Sequence, residues 1–151
     1  MIILAFESSC DETSVAVLHN DKVLSNVILS QEYHKAFGGV IPEIASREHL
    51  RKITEMTEKA LEKSGLELKD INFIASTSEP GLIGAILIGL NFAKSLAASL
   101  NVPFVPVNHI HAHLYSAFLG NDKPQFPFLA LIVSGGHTLL VLVEDFFKPK
   151  I

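Results

Sequence analysis

The chain has 151 residues, of which 48% are hydrophobic and 19% are charged, and its formal net charge is −4. This composition excludes a disordered chain, and the acidic balance argues against a broad nucleic-acid-binding face on this chain alone. Cys10 is the only cysteine, which excludes an internal disulfide and favours a reducing compartment, so we expect a cytoplasmic protein.

Three strands and a long helix are predicted in the first half of the chain. Apolar or β-branched runs predict strands over Ile2–Phe6, Ser14–His19 and Lys22–Leu29. A tight hairpin at Asn20-Asp21 joins the second strand to the third. An amphipathic helix follows over Glu43–Lys63, and Gly65 ends it.

Strands and helices alternate in the second half. The predicted elements are a strand over Ile71–Ser76, a helix over Leu82–Leu100, a strand over Phe104–Val107, a helix from the capping residue Asn108 to about Leu119, and strands over Phe126–Val133 and Thr138–Val143. The first of these helices could be mistaken for a membrane span, but Asn91 and Lys94 favour a buried helix. Gly84 and Gly89 within it are interpreted as close-packing positions.

This order of elements predicts an α/β fold with a mixed sheet covered by helices. The segment Gly120–Pro124 has the composition of a linker. We therefore expect a first domain over residues 1–123 and the opening hairpin of a second domain over residues 124–151, the rest of that domain being absent. Two strands alone have little to pack against, which favours a fragment of a longer protein.

Two histidines four residues apart, His109 and His113, are candidate metal ligands. On a helix they share one face, while His111 points elsewhere. Two imidazoles on one helical face can bind zinc or iron when other residues complete the site, although hydrogen-bonded helix residues are the simpler interpretation of so short a motif. The sequence is not H-E-x-x-H, so the general base of a zinc peptidase is missing.

Two turns combine residues that can bind anions or metals. Ser134-Gly135-Gly136-His137 lies between two predicted strands, where its backbone N–H groups could face an anion or simply form a hairpin turn. Glu7–Ser14 carries hydroxyls and three acids, which could serve a phosphate and a metal or merely make a polar turn. Pro80–Gly84 opens a helix with amide donors, but it is neither a Rossmann fingerprint nor a P-loop.

The order of these motifs is more specific than any one of them. The series is Glu7-Ser8-Ser9-Cys10-Asp11-Glu12-Thr13, Gly38-Gly39-Val40-Ile41-Pro42-Glu43-Ile44-Ala45-Ser46-Arg47, Pro80-Gly81-Leu82-Ile83-Gly84, Pro106-Val107-Asn108-His109 to His113, and Val133-Ser134-Gly135-Gly136-His137-Thr138. It resembles, over essentially the whole chain, the TsaD family of tRNA threonylcarbamoyladenosine synthesis proteins, formerly called O-sialoglycoprotein endopeptidases. The resemblance implies an actin-like ATPase (RNase H-like) fold of two domains. It also implies transfer of a threonylcarbamoyl group from threonylcarbamoyl-adenylate to N6 of adenosine 37 in tRNA, with ATP as a possible ligand of the fold.

The resemblance assigns roles to nine residues. His109 and His113 match the metal ligands, for one divalent ion of iron or zinc. The residues that match the substrate-contacting stretch are Ile132, Val133, Ser134, Gly135 and Gly136. Asp11 and Glu12 match an acidic loop that faces the same cleft, and we expect them to be catalytic. The family's third ligand is an aspartate far downstream, so an inactive fragment with weak metal binding is expected.

Partners and alternatives follow from the same resemblance. It implies tRNA, the non-catalytic paralogue TsaB and the ATPase TsaE as partners in bacteria, with the helix Glu43–Lys63 in the interface to the paralogue. A non-catalytic assembly module is the alternative, although that paralogue usually lacks the metal histidines, and a metallopeptidase is a third. The terminal hairpin, lacking a covering layer for Val133, Leu139, Val141 and Phe146, should drive self-association.

Overall fold

A computed structural model describes residues 1–120, 122–133, 138–146 and 149–150 of the chain. They form two compact units, Met1–His109 and Ile110–Ile151. This division falls after His109, and the domain boundary predicted after residue 123 stays a prediction.

The first unit contains a five-stranded sheet and two long helices. The strands are β1 (Ile2–Glu7), β2 (Glu12–His19), β3 (Lys22–Ser30), β4 (Phe73–Glu79) and β5 (Phe104–Asn108), in the order β3-β2-β1-β4-β5. The helices are α1 (Pro42–Ser64) and α2 (Ile83–Leu100), with short 3-10 turns at Glu32–Phe37 and Leu68–Asp70. β1 pairs antiparallel with β2 and parallel with β4, so the sheet is mixed, as predicted.

Local backbone chemistry sets the ends of these elements. Asn20 adopts a left-handed φ of 55° between β2 and β3, and Gly65 adopts a φ of 71° where α1 ends, which confirms both predicted breaks. β4 begins later than predicted, since the N–H of Ile71 donates to the carbonyl of Leu68 and closes the preceding 3-10 turn. That N–H is therefore unavailable to the sheet.

The core of the first unit lies between one face of the sheet and both helices. Leu4 and Phe6 of β1 belong to one buried cluster that also contains Ile53 of α1 and Ala93 of α2. Ala5, between them along β1, is only partly buried because it points to the other face. The fully buried side chains of this continuous apolar strand therefore lie on one face of the sheet only.

α2 is long and apolar enough to cross a membrane by length and composition. In the fold it packs within the first unit, with Ala85, Gly89 and Ala93 among its buried residues. A Cβ atom at Gly89 would overlap the Ser8 hydroxyl, and one at Gly84 would overlap the Ser46 hydroxyl. Both glycines therefore occupy close-packing positions, as predicted.

The second unit packs a short helix against a small sheet. Its elements are the part of α3 (His109–Ser116) that follows His109, a 3-10 turn at Ala117–Leu119, β6 (Phe128–Val133), β7 (Thr138–Val143) and β8 (Pro149–Lys150), with the strand order β6-β7-β8. Leu114 of α3 is buried with Val141 and Val143 of β7. The ring of Phe146 stacks on Tyr115 at a centroid distance of 5.8 Å. The expectation that Leu139, Val141 and Phe146 have no layer against which to pack is therefore wrong, because α3 supplies one.

The opposite side of this sheet is apolar and exposed. We call it the outer face of the β6–β7 hairpin, and its members are Leu129, Leu131, Val133, Leu140 and Leu142. They share one side because Leu129 pairs with Leu142 and Leu131 with Leu140 across the antiparallel ladder. Their exposed fractions run from 36% for Leu142 to 70% for Val133.

Candidate functional site

Three parallel strands bring polar residues from distant parts of the sequence to one edge of the first sheet. β1, β4 and β5 are adjacent and parallel, so their carboxyl ends lie together. Glu7 is the last residue of β1, Thr77 lies near the end of β4, and His109 directly follows β5. The topology therefore makes neighbours of a carboxylate, a hydroxyl and an imidazole.

Glu7 is the centre of this group. Its carboxylate accepts hydrogen bonds from the Thr77 hydroxyl and from the backbone N–H of Ser9. Nδ1 of His109 lies 3.1 Å from Oε2 of Glu7 and 3.3 Å from the Ser9 hydroxyl oxygen. The side chains of His109 and Glu7 are 27% and 32% exposed, so the pair is partly shielded from water but still open to solvent.

Glu7 and His109 shift each other's pKa. Burial alone would raise the pKa of Glu7, but hydrogen bonds from His109, Ser9 and Thr77 outweigh it and lower the pKa to about 2. The hydrogen bond to Glu7 raises the pKa of His109 above its usual value against the opposing effect of burial. Glu7 is consequently a carboxylate at neutral pH, able to accept hydrogen bonds but not to donate them.

The turn after β1 is clamped to the start of α2. The Ser8 hydroxyl donates to the carbonyl of Ala85 at 2.9 Å, and the N–H of Leu82 donates to the carbonyl of Ser9 at 2.8 Å. Gly81 permits this approach, since a Cβ atom there would overlap the Ser9 backbone. The Pro80–Gly84 segment therefore positions the Glu7–Ser9 turn by direct contact.

The acidic residues Asp11 and Glu12 lie further along the same loop. Glu12 is exposed, is the first residue of β2 and accepts a hydrogen bond from the Ser30 hydroxyl at 2.6 Å. Asp11 is half-buried, and its carbonyl accepts the N–H of Gln31 at 3.0 Å. These contacts tie the loop to the end of β3 and to the residue that follows it, whereas Glu7 contacts Thr77 of β4 and His109.

A buried histidine anchors the loop from the side of α1. His49 is 0% exposed, and its Nε2 lies 3.0 Å from the carbonyl of Cys10 while its Nδ1 lies 2.8 Å from the Thr13 hydroxyl. Because a carbonyl only accepts, Nε2 donates to Cys10 and Nδ1 accepts from Thr13. Burial lowers the pKa of His49, in keeping with this neutral form.

The two candidate metal ligands both lie on α3. His109 is its first residue and His113 its fifth, so they have the i,i+4 spacing of one helical face. His113 and His111 are exposed. The imidazole of His109 is held by a carboxylate, as in many metal-binding histidines. Within the described ranges no group of three or more His, Cys, Asp or Glu side chains could hold a metal ion.

The expected substrate-contacting stretch is described only in part. Ile132 is half-buried on the inner side of β6, where it packs against the Leu114–Val141 cluster. Val133 belongs to the outer face and is 70% exposed. Ser134, Gly135 and Gly136 lie outside the described residues.

A family model for tRNA N6-adenosine threonylcarbamoyltransferase, TsaD, matches residues 22–150 of the chain. This chain belongs to the TsaD family. Proteins of that name from Chlorobium luteolum and Dictyoglomus turgidum are 55% and 54% identical to it, over 96% and 100% of the chain. The aligned region makes up 43% and 46% of those relatives, so the chain spans less than half of their length.

Solved structures show the fold. YeaZ from Pseudomonas aeruginosa is similar with a TM-score of 0.65 at 18% identity, over 97% of this chain and 63% of that one. The Aquifex aeolicus PPX-GPPA enzyme is similar with a TM-score of 0.52 at 13% identity, over 99% of this chain and 51% of that one. The fold is therefore the RNase H-like, actin-like ATPase fold that the resemblance to the TsaD family implied.

Sequence reasoning missed the residues at the centre of the site. Glu7 was grouped with its polar neighbours, and neither Thr77 nor His49 was singled out. Glu7 and Thr77 could have been predicted from the strand order, because side chains at the carboxyl ends of adjacent parallel strands lie close together. Nothing local distinguishes His49 from the other polar residues of α1, since its partners lie 36 and 39 positions away.

Proposed function

We propose that this chain carries part of the catalytic machinery of a threonylcarbamoyltransferase. The reaction is transfer of the threonylcarbamoyl group from threonylcarbamoyl-adenylate to N6 of adenosine 37 in tRNA. One observation carries the proposal, namely the Glu7–His109 pair at the carboxyl edge of the sheet in a chain of the TsaD family. Because the adenylate is already activated, no covalent nucleophile is needed, and the site has only to bind, orient and stabilise charge.

His109 and His113 are proposed to hold one divalent metal ion, iron or zinc. Their spacing on α3 and the carboxylate beside His109 support this assignment. When bound, such an ion supplies Lewis-acid polarisation of the carbamoyl oxygen. Two ligands hold a metal more loosely than a closed site does, so weak binding is expected for the chain alone.

The remaining roles follow the family resemblance. The stretch Ile132–Gly136 is proposed to contact the threonylcarbamoyl-adenylate, and Asp11 and Glu12, in the acidic loop after β1, are proposed to be catalytic. The clamp between the Glu7–Ser9 turn and α2, together with His49, supports a rigid position for that loop. ATP is a further possible ligand, because the fold is that of actin-like ATPases.

A chimera tests the proposal. Residues 1–150 of this chain would replace the corresponding segment of the Dictyoglomus turgidum relative, to which the whole chain aligns at 54% identity. Purified chimera would be assayed with its partner proteins, tRNA, threonine, bicarbonate and ATP, and threonylcarbamoyladenosine would be quantified by mass spectrometry of digested tRNA. We expect product from the chimera and a loss of about 100-fold in H109A and H113A, since even residues that only orient a metal ligand cost about 10–100-fold when they are replaced.

His111→Ala is the matched control, since His111 lies on the same short helix between the two proposed ligands. It should keep most of the activity. A folded chimera without product would contradict the proposal, and so would H109A and H113A variants that modify tRNA as well as the parent does.

The partners of this chain are also proposed from the family resemblance. We infer a cytoplasmic assembly with tRNA, a non-catalytic paralogue of the TsaB type and the ATPase TsaE. The structural similarity to YeaZ supports a paralogue of related fold. α1 offers an outward surface with Arg47 and Arg51 paired to neighbouring glutamates beside the exposed Leu50. A purely non-catalytic assembly role remains the second candidate, and His109 and His113 argue against it.

Self-association is proposed for the isolated chain. The outer face of the β6–β7 hairpin is a contiguous group of leucine and valine side chains, and exposed apolar surface of this kind favours burial against another copy. Exchange of the hairpin between copies is one route to such a dimer.

A further inference from the structure

We propose that Glu7 is a positioning residue that fixes the tautomer of His109 and thereby makes Nε2 the metal-binding atom of this histidine. The inference rests on the proposed role of His109 as a metal ligand and adds the residue that orients it. Glu7 itself need not touch the metal or the substrate to act in this way.

The contact between the two side chains decides which ring nitrogen carries the proton. Oε2 of Glu7 lies 3.1 Å from Nδ1 of His109, and the carboxylate already accepts hydrogen bonds from Thr77 and Ser9. A carboxylate oxygen is an acceptor. An unprotonated Nδ1 at this distance would therefore place its lone pair against a lone pair of the carboxylate, which is unfavourable. Nδ1 therefore donates, and in a neutral imidazole the lone pair is then on Nε2.

The Ser9 hydroxyl also lies near the His109 ring, but it does not determine which ring nitrogen is protonated. The Ser9 hydroxyl oxygen lies 3.3 Å from the same Nδ1, but a hydroxyl can either donate or accept and so permits both tautomers. Glu7 is also held in place more firmly, since it ends β1 and is fixed by hydrogen bonds from β4 and from its own turn. The structure thus assigns tautomer selection to Glu7 rather than to Ser9.

Nitrogen NMR measures the tautomer without any metal or activity. The 151-residue chain would be labelled with ¹⁵N-histidine, and long-range proton–nitrogen spectra recorded at a pH where the ring is neutral, with H109A assigning the signal. We expect a protonated Nδ1 in the wild type. Glu7→Asp keeps the charge but shortens the side chain, and we expect it to shift His109 towards the Nε2-protonated tautomer that free histidine prefers.

Two control variants separate this role from a general effect on folding. Ser9→Ala removes the competing hydroxyl but keeps the N–H that binds Glu7, and His111→Ala changes another histidine of the same helix. Both should keep the proton on Nδ1. A wild type protonated on Nε2, or a Glu7→Asp variant that retains the wild-type tautomer, would overturn the inference.

Zinc titration by calorimetry adds a second readout. If the wild type binds zinc in a His109-dependent manner, Glu7→Asp should bind about 10–100-fold more weakly, while Ser9→Ala should change little. Equal affinity in Glu7→Asp would contradict the positioning role. Failure of the wild type to bind zinc would instead count against the proposed metal site, and the tautomer spectra would still decide the inference about Glu7.

Discussion

In both units, successive side chains along a strand point to opposite faces of the sheet. The units differ in the residues that occupy the less buried face. In the first unit, Ala5, Ala16 and Ala75 are neighbours in register on the less buried side of the sheet. In the second, the outward positions are the leucines and valine of the outer face of the β6–β7 hairpin. Small side chains lose little when water meets them, whereas leucine gains most from being covered. Small side chains thus occupy the middle of the less buried side of the first sheet, while the second unit presents an apolar surface that a further layer would bury.

The largest expected effect comes from a leucine pair, one in each unit. Leu4 is 0% exposed in β1, and Leu131 is 65% exposed in β6. Leu4→Ala should lower the free energy of unfolding by about 2–5 kcal/mol, because it leaves a cavity in the core. Leu131→Ala should change it by no more than about 0.5 kcal/mol. Urea unfolding followed by circular dichroism measures both.

Similar decreases in the free energy of unfolding for Leu4→Ala and Leu131→Ala would contradict this difference between the two units. They would show that the outer face is already covered in solution, and sedimentation of the same samples would reveal whether a second copy covers it.

Close packing between α2 and the turn after β1 gives the next effect. Gly89→Ala should destabilise the first unit by about 1–3 kcal/mol, since the new methyl group would overlap the Ser8 hydroxyl. Gly39→Ala is the matched control, because nothing lies within 4 Å of a Cβ atom there. Thermal unfolding of both variants tests the prediction, and an unchanged melting temperature in Gly89→Ala would show that Ser8 moves aside freely.

His49 should make the first unit sensitive to acid. Its folded pKa is lowered by burial, so above about 6.5, the pKa of an unfolded histidine, the folded and unfolded states are both neutral and its contribution is fully present. As the pH falls from there towards the lower folded pKa, only the unfolded state gains a proton and the free energy of unfolding decreases. Urea unfolding across this pH range measures the slope.

His49→Leu provides the comparison for that slope. It should remove this part of the pH dependence and cost about 1–2 kcal/mol at pH 8, because the Cys10 carbonyl and Thr13 hydroxyl lose their partner. A variant with the wild-type slope would assign the acid sensitivity to other groups.

The smallest effect on stability, and the largest on association, is expected at the outer face. Leu131 and Leu140 are opposite each other in register, so Leu131→Lys combined with Leu140→Glu places opposite charges side by side. We expect a monomer by analytical ultracentrifugation where the wild type associates, with unfolding changed by no more than about 0.5 kcal/mol per substitution. A monomeric wild type at high concentration would refute self-association through this face.

Most elements could be predicted from local patterns, and their ends less well. Asn20 and Gly65 marked breaks because few other residues adopt a left-handed conformation there. β4 shifted along the chain because the 3-10 turn before it takes the N–H of Ile71, a choice that apolar pattern alone does not show. Leu114 packs with Val141 of β7, a contact between residues too distant in the chain for a local pattern to predict.

By itself, the sequence determined the composition of the fold and the family of the chain. The order of strands and helices, the glycines of α2 and the spacing of His109 and His113 are local features, so they could be read from residues close together in the chain. Only the tertiary structure decided that Glu7 meets Thr77 and His109, which are 70 and 102 positions away. Pairing of parallel strands through long crossovers creates such neighbours, and no local pattern encodes which residues will share the edge of the sheet.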